Sequence, residues 1–338
     1  MSTWAQSLLD RDVPACLPIT PVDQDSWRTL PEWQVFETTL EETLQRLCAA
    51  LGPSPNFLLK SRGKKVRPLL VFAANSLFQS PGNATVRTAL AAELIHLASL
   101  VHDDVIDSAE LRRRHPTVNS IHGNYSAVLL GDLLFAEAFR LLASAEQLDE
   151  LAYFIAAIQT MCQGEIEQDQ QRFHRRSVAA YLHYAAGKTA SLLGACCRAG
   201  AAAGRASQDA QEQLGLFGEH LGLAFQIADD IRDCTGSVQT LGKEALNDLR
   251  EGNYTLPLIL LLDDPLYGPW LHTATSEGLT PTVAQQLPRI LAESGALAQA
   301  TDLARHYVGS AKAQLAQFPD SPAKTFLALL ADQVMSPA

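Results

Sequence analysis

Apolar residues in this chain recur at three- and four-residue spacing through one long segment after another, and the alternation typical of β-strands is absent from the sequence. A segment with this spacing buries its apolar residues when it is helical, because residues three and four apart share a helix face. The pattern therefore predicts an all-α fold, with helices over residues 35–51, 66–78, 88–107, 127–143, 151–172, 181–203, 211–234 and 254–262. Glycine and proline clusters predict loops at residues 53–55, 81–83, 115–124, 236–242 and 263–269.

The same pattern suggests how the chain is divided. Residues 1–30 are rich in proline and show little periodicity, which predicts a loosely structured leader. Residues 31–338 contain no repeat and no low-complexity tract, so we expect a single all-helical domain there.

Composition excludes several classes of protein. Hydrophobic residues make up 47% of the chain, which is enough for a large core. The formal net charge of −11 argues against a nucleic-acid-binding protein, which would need a basic face. The amino terminus lacks the basic residues of a signal peptide, and no uncharged stretch is continuous enough to span a membrane, so we expect a cytoplasmic protein. The six cysteines form no C-x-x-C pair and are expected to be buried free thiols.

Two aspartate triplets with the spacing D-D-x-x-D lie inside apolar, predicted-helical segments. They are Asp103, Asp104 and Asp107, and Asp229, Asp230 and Asp233. The first and last aspartates of a triplet lie about 40° apart on a helix, and the middle one flanks them. Clustered carboxylates repel one another and lose hydration, so they require a compensating cation. Mg²⁺ prefers oxygen ligands and fits carboxylates together with phosphate oxygens.

Basic residues cluster in short segments although the protein as a whole is acidic. As a set they indicate a pocket for phosphate groups, whose charge they would neutralise together with a metal. The charges of the six triplet aspartates would be offset by three Mg²⁺ ions. Six basic side chains would then roughly balance two diphosphates of about three charges each. These side chains are Lys64, Arg67, Arg112, Arg113, Lys188 and Lys243.

With these motifs in place, the sequence closely resembles the trans-isoprenyl (polyprenyl) diphosphate synthase family, and its bacterial long-chain members in particular. The resemblance is clear over residues 33–262 and weaker beyond them. Its ordered motifs are Gly63-Lys64-x-x-Arg67-Pro68, Glu93-Leu94-Ile95-His96, Asp103 to Asp107 followed by Leu111-Arg112-Arg113, Gly131-Asp132, Gly187-Lys188-Thr189-Ala190, Phe225-Gln226 before Asp229-Asp230, Gly242-Lys243 and Asp248-Leu249-Arg250-Glu251-Gly252.

The resemblance implies an isoprenoid-synthase helical bundle around a central substrate cavity, and it assigns roles to individual residues. Principal ligands of Mg²⁺, with about three ions per site in this family, would be Asp103, Asp107 and Asp229. Catalytic support at both triplets would come from Asp104, Asp230 and Asp233. Isopentenyl diphosphate would be held by Lys64, Arg67, His96 and Arg113. The allylic diphosphate would be held by Arg112, Lys188, Gln226 and Lys243, and the nascent allylic cation would be stabilised by Thr189.

The implied reaction is head-to-tail 1'-4 condensation of an allylic diphosphate with isopentenyl diphosphate, giving an all-trans polyprenyl diphosphate. A homodimer is expected, or a heteromer with a second, dissimilar subunit, and the product would be handed to the membrane. Three alternatives stay open: a farnesyl or geranylgeranyl diphosphate synthase, a terpene cyclase on the same fold, and a silent partner subunit of a heteromeric synthase. A di-iron helical bundle is disfavoured because it needs two Glu-x-x-His pairs, and the chain has only Glu93-x-x-His96.

Chain length is expected to depend on the residues one turn before the first triplet. Short-chain members of the family place an aromatic residue there as a floor, whereas Ala98 and Ser99 are small. A product of roughly C30–C40 is therefore expected, since a prenyl tail clamped at the aspartates must run back along this helix. Phe135 is the candidate for a deeper obstruction. The alternative is that Ala98 and Ser99 are small because two helices pack closely there.

The sequence also departs from the family pattern at three positions. Arg114 stands where glycine is usual, Asn253 where lysine is common, and Arg232 where an apolar residue is usual.

Overall fold

The computed structural model describes residues 24–52, 64–112, 115–144, 146–172, 174–235, 246, 249, 252–276 and 280–336. Their helices are α1 (Gln24–Trp27), α2 (Pro31–Cys48), α3 (Val66–Ser76), α4 (Asn83–Ile106), α5 (Val118–Leu142), α6 (Leu148–Gln170), α7 (Val178–Ala185), α8 (Ser191–Ala203), α9 (Gln208–Thr235), α10 (Leu256–Asp263), α11 (Gly268–Ser276), α12 (Pro281–Glu293), α13 (Ala296–Gln314) and α14 (Pro322–Gln333). A 3₁₀ turn, Ala49–Leu51, follows α2, and a π turn, Ala186–Ala190, joins α7 to α8. The all-α prediction is confirmed, and the segments predicted from periodicity all fall in helices of the structure, with most ends shifted by a few residues. Two predictions differ in detail: the helix predicted at 181–203 is α7, the π turn and α8, and the helix predicted to start at residue 127 starts at Val118.

The loop predicted at residues 115–124 is wrong for most of its length. Two-residue strands β1 (Leu111–Arg112) and β2 (His115–Pro116) form a short antiparallel ladder, which also corrects the expectation that the chain has no strands. Helix α5 then begins at Val118, because Thr117 caps it by accepting a hydrogen bond from the Ser120 amide at 3.3 Å. Gly123, with φ of 80°, kinks α5 without ending it, so the glycine marks a bend in a helix instead of a loop.

The described residues fall into two compact units, each assembled from separate stretches of the chain. The first lies within Met1–Ile155, Ala195–Gly215 and Gln317–Ala328. The second lies within Ala156–Gly194, Leu216–Ala316 and Leu329–Ala338. The first aspartate triplet therefore belongs to the first unit, and the second triplet belongs to the second.

The first unit is built around α4, which is covered on every side: the residues 88–95 are all buried. Aromatic rings from α2 and α3 pack beside one another in this core, with the Trp33 centroid 5.0 Å from Phe36 and 5.3 Å from Phe72. Among the described residues, α4 alone is long and apolar enough to cross a membrane, and 72% of its most apolar window is buried inside the protein.

Helices α4 and α5 run antiparallel in the first unit. Near the start of α4, the carbonyl of Ala84 and the hydroxyl of Thr88 accept hydrogen bonds from Gln147, which lies beyond the end of α5. Near the end of α4, His102 Nε2 lies 3.0 Å from the carbonyl oxygen of Val128, in the first half of α5. The carboxyl end of α4, which carries the first triplet, therefore lies beside the first half of α5.

The second unit has α10 at its centre. One apolar cluster joins α10 to α11 and α12 through Leu258, Leu261, Leu271, Leu287 and Leu291. A second cluster joins it to α7, α9 and α13 through Tyr181, Ile227, Leu256, Ile259, Ala300 and Ala304. These contacts fix α7 and α9, which carry site residues described below.

Part of the segment predicted as a leader is packed into the first unit. Trp27 is fully buried, and its ring centroid lies 5.3 Å from that of Phe326 in α14. The predicted domain boundary at residue 31 stays a prediction, and residues 1–23 lie outside the described residues.

The cysteines described are free thiols, in agreement with the sequence. Cys48, Cys196, Cys197 and Cys234 are buried, whereas Cys162 is exposed, so the expectation of burial is wrong for that residue. Burial raises the pKa of Cys48 to about 11 and the pKa of Cys196 to about 12.

Candidate active site

The first triplet occupies the last turn of α4 and its end. Asp103 is half-buried and Asp107 is exposed, and the Asp107 amide donates to the carbonyl of Asp103 at 2.8 Å. The two residues therefore stand one turn apart on the same face. The loop that follows is fixed by Asn119, whose Nδ2 donates to the carbonyls of Asp104 and Ala109 at 3.2 and 3.1 Å. The carboxyl end of a helix carries partial negative charge, which adds to the attraction of a cation.

Asp104, the middle residue of this triplet, faces inward and holds Arg112. It is 2% exposed, and its Oδ1 accepts a hydrogen bond from Arg112 Nε at 2.8 Å. Burial raises the pKa of Asp104, the Arg112 charge and hydrogen bond oppose the rise, and Asp107 adds to it. Strand pairing between Arg112 and His115 fixes the backbone of the arginine. Asp104 thus positions a side chain that the resemblance assigns to the allylic diphosphate.

The second triplet lies in the last turns of α9. Asp229 is exposed, whereas Asp230 and Asp233 are 2% and 4% exposed. Arg232, one of the departures from the family pattern, folds back along α9, with a terminal guanidinium nitrogen 3.5 Å from Asp229 Oδ1. Its guanidinium also lies over the ring of Phe225, 5.9 Å from the centroid. A cation therefore already stands beside the most exposed aspartate of this triplet.

A chain of side-chain hydrogen bonds runs from α7 through Asp230 to the π turn. The Tyr181 hydroxyl donates to Asp230 Oδ2 at 2.6 Å, and Gln226 Nε2 donates to Asp230 Oδ1 at 2.8 Å. The Thr189 hydroxyl then donates to Gln226 Oε1 at 2.6 Å. Asp230 thereby orients Gln226 and Thr189, two residues singled out in the sequence. Tyr181 was not singled out, although it lies seven residues before Lys188 and so on nearly the same helix face.

Close backbone approach makes this chain possible. A Cβ added to Gly222 in α9 would lie 2.4 Å from the Cα of Ala190, closer than real atoms come. The absence of a side chain at Gly222 lets α9 reach the π turn. Gln226, one turn further along α9, is thereby brought beside Thr189.

Lys188 lies on the π turn and is paired with a carboxylate of α6. Its Nζ is 3.2 Å from Glu165 Oε2, and the two side chains are 34% and 20% exposed. Glu165 is a second site residue that sequence reasoning missed. Its signal was weak, since a lone glutamate on a predicted helix is usually a solvated charge.

The residues assigned to isopentenyl diphosphate begin just before α3. Lys64 is exposed, and Arg67, in the first turn of α3, and His96, on α4, are half-buried. Arg67 and Glu93 both lie close enough to buried Cys196 to influence its pKa, so α3 and α4 bring the two motifs into one region of the first unit. These three assignments stay predictions.

The positions expected to control chain length differ in their surroundings. Ala98 is fully buried on α4, while Ser99 is half-buried and its hydroxyl donates to the carbonyl of His96 at 2.9 Å. The ring of Phe135, on α5, lies 5.8 Å from that of His102 and 6.3 Å from that of Phe139, on which it stacks. Phe135 thus lies level with the last turn of α4, and Phe139 lies one turn farther along α5. The role of all three predicted positions stays a prediction.

The carboxylates suit a divalent metal that shares its ligands with a substrate. Those expected to bind it directly are the accessible ones, Asp103, Asp107 and Asp229. No three histidine, cysteine, aspartate or glutamate side chains converge as a ready-made metal site within the part of the chain that the structure describes. Mg²⁺ in phosphate-transfer sites keeps several waters and takes only one or two carboxylates plus phosphate oxygens, so this open donor set fits it.

Several residues of interest fall elsewhere. Arg113, Arg114 and Lys243 lie outside the described residues. Asn253 is half-buried, and its Oδ1 has no hydrogen-bond partner among the described residues. A cleft of about 740 Å³ in the second unit is lined by Arg175, Tyr254, Asp263, Asp264 and His272 among others, and by none of those predicted site residues that the structure describes. The central substrate cavity expected from the resemblance stays a prediction.

Residues 51–271 match the family model described as polyprenyl synthetase. A prenyl transferase of Synechocystis is 38% identical over 291 residues, which cover 84% of this chain and 82% of the relative. Component 2 of the heptaprenyl diphosphate synthase of Geobacillus stearothermophilus is 40% identical over 230 residues, or 68% of this chain and 72% of the relative.

A solved structure agrees with these sequence matches. It is the polyprenyl synthase of Caulobacter crescentus, crystallised with calcium and isoprenyl diphosphate, which has a TM-score of 0.81 and 33% identity. The match covers 95% of this chain and 99% of that one, so the likeness extends well beyond the residues that carry the motifs.

Proposed function

The chain belongs to the polyprenyl synthetase family and is a transferase of prenyl groups, and on this premise we propose that it lengthens an allylic diphosphate with isopentenyl diphosphate. Each cycle would be a head-to-tail 1'-4 condensation. The product would be an all-trans polyprenyl diphosphate.

The family uses a divalent metal, and we propose Mg²⁺ for this chain. Asp103, Asp107 and Asp229 would hold it, because their carboxylates are accessible and clustered carboxylates attract a divalent cation. When bound, Mg²⁺ would neutralise diphosphate oxygens and so make the diphosphate a better leaving group.

The side chains around the triplets supply the remaining steps. Arg112 and Lys188 would bind the allylic diphosphate and stabilise the charge that develops as the allylic C–O bond breaks and its electron pair passes to the diphosphate. The Thr189 hydroxyl donates its hydrogen bond to Gln226, so the lone pairs of its oxygen stay available to stabilise the allylic cation.

Isopentenyl diphosphate would be held by Lys64, Arg67 and His96 with its double bond close to that cation. The double bond attacks the allylic carbon, a carbon–carbon bond forms, and the adduct loses a proton to the released diphosphate. No side chain is assigned as general base.

One observation carries this proposal: the buried middle aspartate of each triplet holds a side chain assigned to the allylic diphosphate. Asp104 accepts from Arg112, and Asp230 accepts from Gln226. Burying a carboxylate is costly unless it is paired, so a merely structural helix gains little from such residues. A site that must orient diphosphate ligands gains fixed geometry from them.

We propose a product of roughly C30–C40. Two observations support a long product: Ser99 and Ala98 place no aromatic ring one turn before Asp103, and the Geobacillus relative is named for heptaprenyl diphosphate. A prenyl tail that leaves the aspartates along α4 would therefore meet its limit farther on.

We also propose that the protein is a cytoplasmic homodimer in which α5 forms the contact. Large apolar side chains are exposed along α5: Ile121 before the Gly123 kink, and Tyr125, Val128, Leu129 and Leu133 at helical spacing after it. A contiguous apolar stripe of this kind is costly in water and is typical of a contact surface. The Geobacillus relative is one component of its synthase. The alternative is therefore a heteromer, in which a second, dissimilar subunit covers this surface of α5.

The deciding experiment incubates purified protein with radiolabelled isopentenyl diphosphate, Mg²⁺ and allylic primers of several lengths, and separates the products by chromatography. We expect label in polyprenyl diphosphates of roughly C30–C40. Hydrocarbon without incorporated label would indicate a terpene cyclase, and a product ending at C15 or C20 would indicate a short-chain synthase. Activity that appears only after a second subunit is added would indicate a heteromer.

A further inference from the structure

Lys188 is held by Tyr184 as well as by Glu165. Its Nζ lies 5.7 Å from the centroid of the Tyr184 ring, within the range of a cation–π contact. The ammonium also faces the Tyr184 hydroxyl closely enough to oppose the rise of that hydroxyl's pKa. Because an ammonium can only donate, the phenol oxygen is its available acceptor.

The fold places these groups together through its backbone. A Cβ added to Gly187 would lie 3.6 Å from the Cα of Gly164 and 3.3 Å from the carbonyl oxygen of Thr160, so α6 and the π turn pack backbone to backbone. Glu165 and Lys188, each the next residue, meet across this contact. Tyr184 lies four residues before Lys188, at the spacing that brings side chains of adjoining turns together.

A second cation lies against the same ring. Arg176 is 7% exposed, its guanidinium carbon lies 5.5 Å from the Tyr184 centroid, and its Nη2 donates to the carbonyl of Gln168 at 3.0 Å. Desolvation lowers the pKa of Arg176, although the guanidinium stays charged at physiological pH. Burial raises the pKa of Tyr184 above its usual range, so its hydroxyl stays neutral beside both cations.

The contacts with Glu165 and Tyr184 restrict the rotamers of the Lys188 side chain. A lysine side chain is flexible and strongly hydrated, and fixing it costs rotamer entropy. Glu165 supplies charge, while Tyr184 supplies an aromatic face and an oxygen acceptor from the adjoining turn.

We propose that Tyr184 is a positioning residue that holds Lys188 in the pose that receives the allylic diphosphate. The inference rests on the proposed function, because it takes from it the role of Lys188. The competing account is that Tyr184 only fills space between α7 and its neighbours.

The test is a set of variants whose steady-state kinetics are measured separately for each substrate. Tyr184→Phe keeps the ring and removes the hydroxyl, and Tyr184→Leu removes both. We expect Tyr184→Phe to raise the KM for farnesyl diphosphate about 3- to 10-fold, as loss of a hydrogen bond to a charged group predicts. Tyr184→Leu should raise it further, and neither should change the KM for isopentenyl diphosphate more than about twofold. Tyr307→Phe, in a half-buried tyrosine whose ring lies against His220 and His306, is the matched control and should leave both KM values unchanged.

A double-mutant cycle with Lys188→Met separates positioning from packing. If Tyr184 acts through Lys188, Tyr184→Phe has no further effect on the KM for farnesyl diphosphate once Lys188 is replaced. Additive effects, or equal changes in both KM values, would overturn the inference. Circular dichroism and thermal melting identify any variant that fails to fold, and Tyr184→Phe then decides alone.

The same cycle distinguishes the inference from its premise. If Lys188→Met leaves the KM for farnesyl diphosphate unchanged, the proposed role of Lys188 is wrong. If Lys188→Met raises it and Tyr184→Phe does not, only the inference about Tyr184 is wrong.

Discussion

The triplet aspartates fall into an accessible group and a buried group, and the buried group includes Asp233, the last residue of its triplet. Asp103, Asp107 and Asp229 are accessible, while Asp104 and Asp230 are 2% exposed and accept hydrogen bonds from neighbouring side chains. Accessible carboxylates can exchange water for a metal, whereas a buried carboxylate with fixed partners chiefly orients those partners. Replacing aspartates from the two groups should therefore have different kinetic consequences.

The first prediction compares Asp103→Asn and Asp229→Asn with Asp104→Asn. Loss of an accessible carboxylate should lower kcat at least ~10²-fold, the scale of a lost electrostatic stabiliser. Asp104→Asn should mainly raise the KM for the allylic substrate, about tenfold or more, since Arg112 loses a charged hydrogen-bond partner. Steady-state kinetics over a range of Mg²⁺ concentrations separates the two effects.

Asp302→Asn is the control for this comparison. Asp302 is exposed and pairs with Arg305 one turn away, and such surface pairs contribute little. Near wild-type turnover by Asp103→Asn or Asp229→Asn would remove the corresponding triplet from the metal site.

At this scale the sequence draws attention to the charged side chains of the proposed site more readily than to the residues that orient them. The aspartates stand out because clustered carboxylates in an apolar helix need an explanation. Tyr181, Tyr184 and Glu165 are unremarkable in the sequence, since a tyrosine or glutamate on a helix is ordinary. Their roles depend on contacts among α6, α7, the π turn and α9, which periodicity does not specify.

At the scale of elements, periodicity predicted helices in the regions of α2 to α10 but assigned none of α1 or α11 to α14. It succeeded where it did because burial of an apolar face decides helix formation in a large core. It missed the start of α5, where the Thr117 cap outweighed the glycine and asparagine that suggested a loop. It could not predict the π turn at Ala186–Ala190, because one extra residue in a turn leaves the apolar spacing nearly unchanged. The sequence pattern likewise did not predict which residues of α4 and α5 contact one another.

The second prediction concerns that packing and the chain length. Ser99→Phe should shorten the product to C15–C20, because it places an aromatic ring one turn before Asp103. Ser99 is only half-buried on α4, and its hydroxyl bonds within its own helix, to the carbonyl of His96. Ala98→Phe should instead destabilise the protein by about 1–3 kcal/mol, since Ala98 is fully buried and leaves no room for a ring. Product chromatography and thermal melting of both variants measure the two effects.

Ser99→Ala serves as the size-matched control and should keep the wild-type product. A long product from a stable, active Ser99→Phe enzyme would contradict a floor at this position. Wild-type product that already ends at C15 or C20 would contradict the proposed chain length itself.

At the scale of the whole molecule, the chain carries a net charge of −11 and still concentrates cations beside its carboxylates. Arg112 with Asp104 and Lys188 with Glu165 are local pairs within an acidic protein. In the proposed function, such pairs would keep the basic side chains oriented for a diphosphate and its metal. An acidic exterior also disfavours binding to anionic lipid surfaces, so the apolar stripe on α5 suits a protein partner better than a membrane.

The third prediction concerns that stripe. Leu129→Glu should convert a dimer into a monomer, because it places a charge in the middle of an apolar contact and burial of that charge is costly. Leu266→Glu is the control: Leu266 is 72% exposed but lies between α10 and α11, off the stripe, and should leave the association state unchanged. Sedimentation velocity at several protein concentrations measures the association state of both variants.

A wild-type protein that sediments as a monomer at all of these concentrations would contradict the homodimer. If that monomer gains activity only with a second, dissimilar subunit, we expect the stripe to bind that subunit, and Leu129→Glu should then abolish the gain.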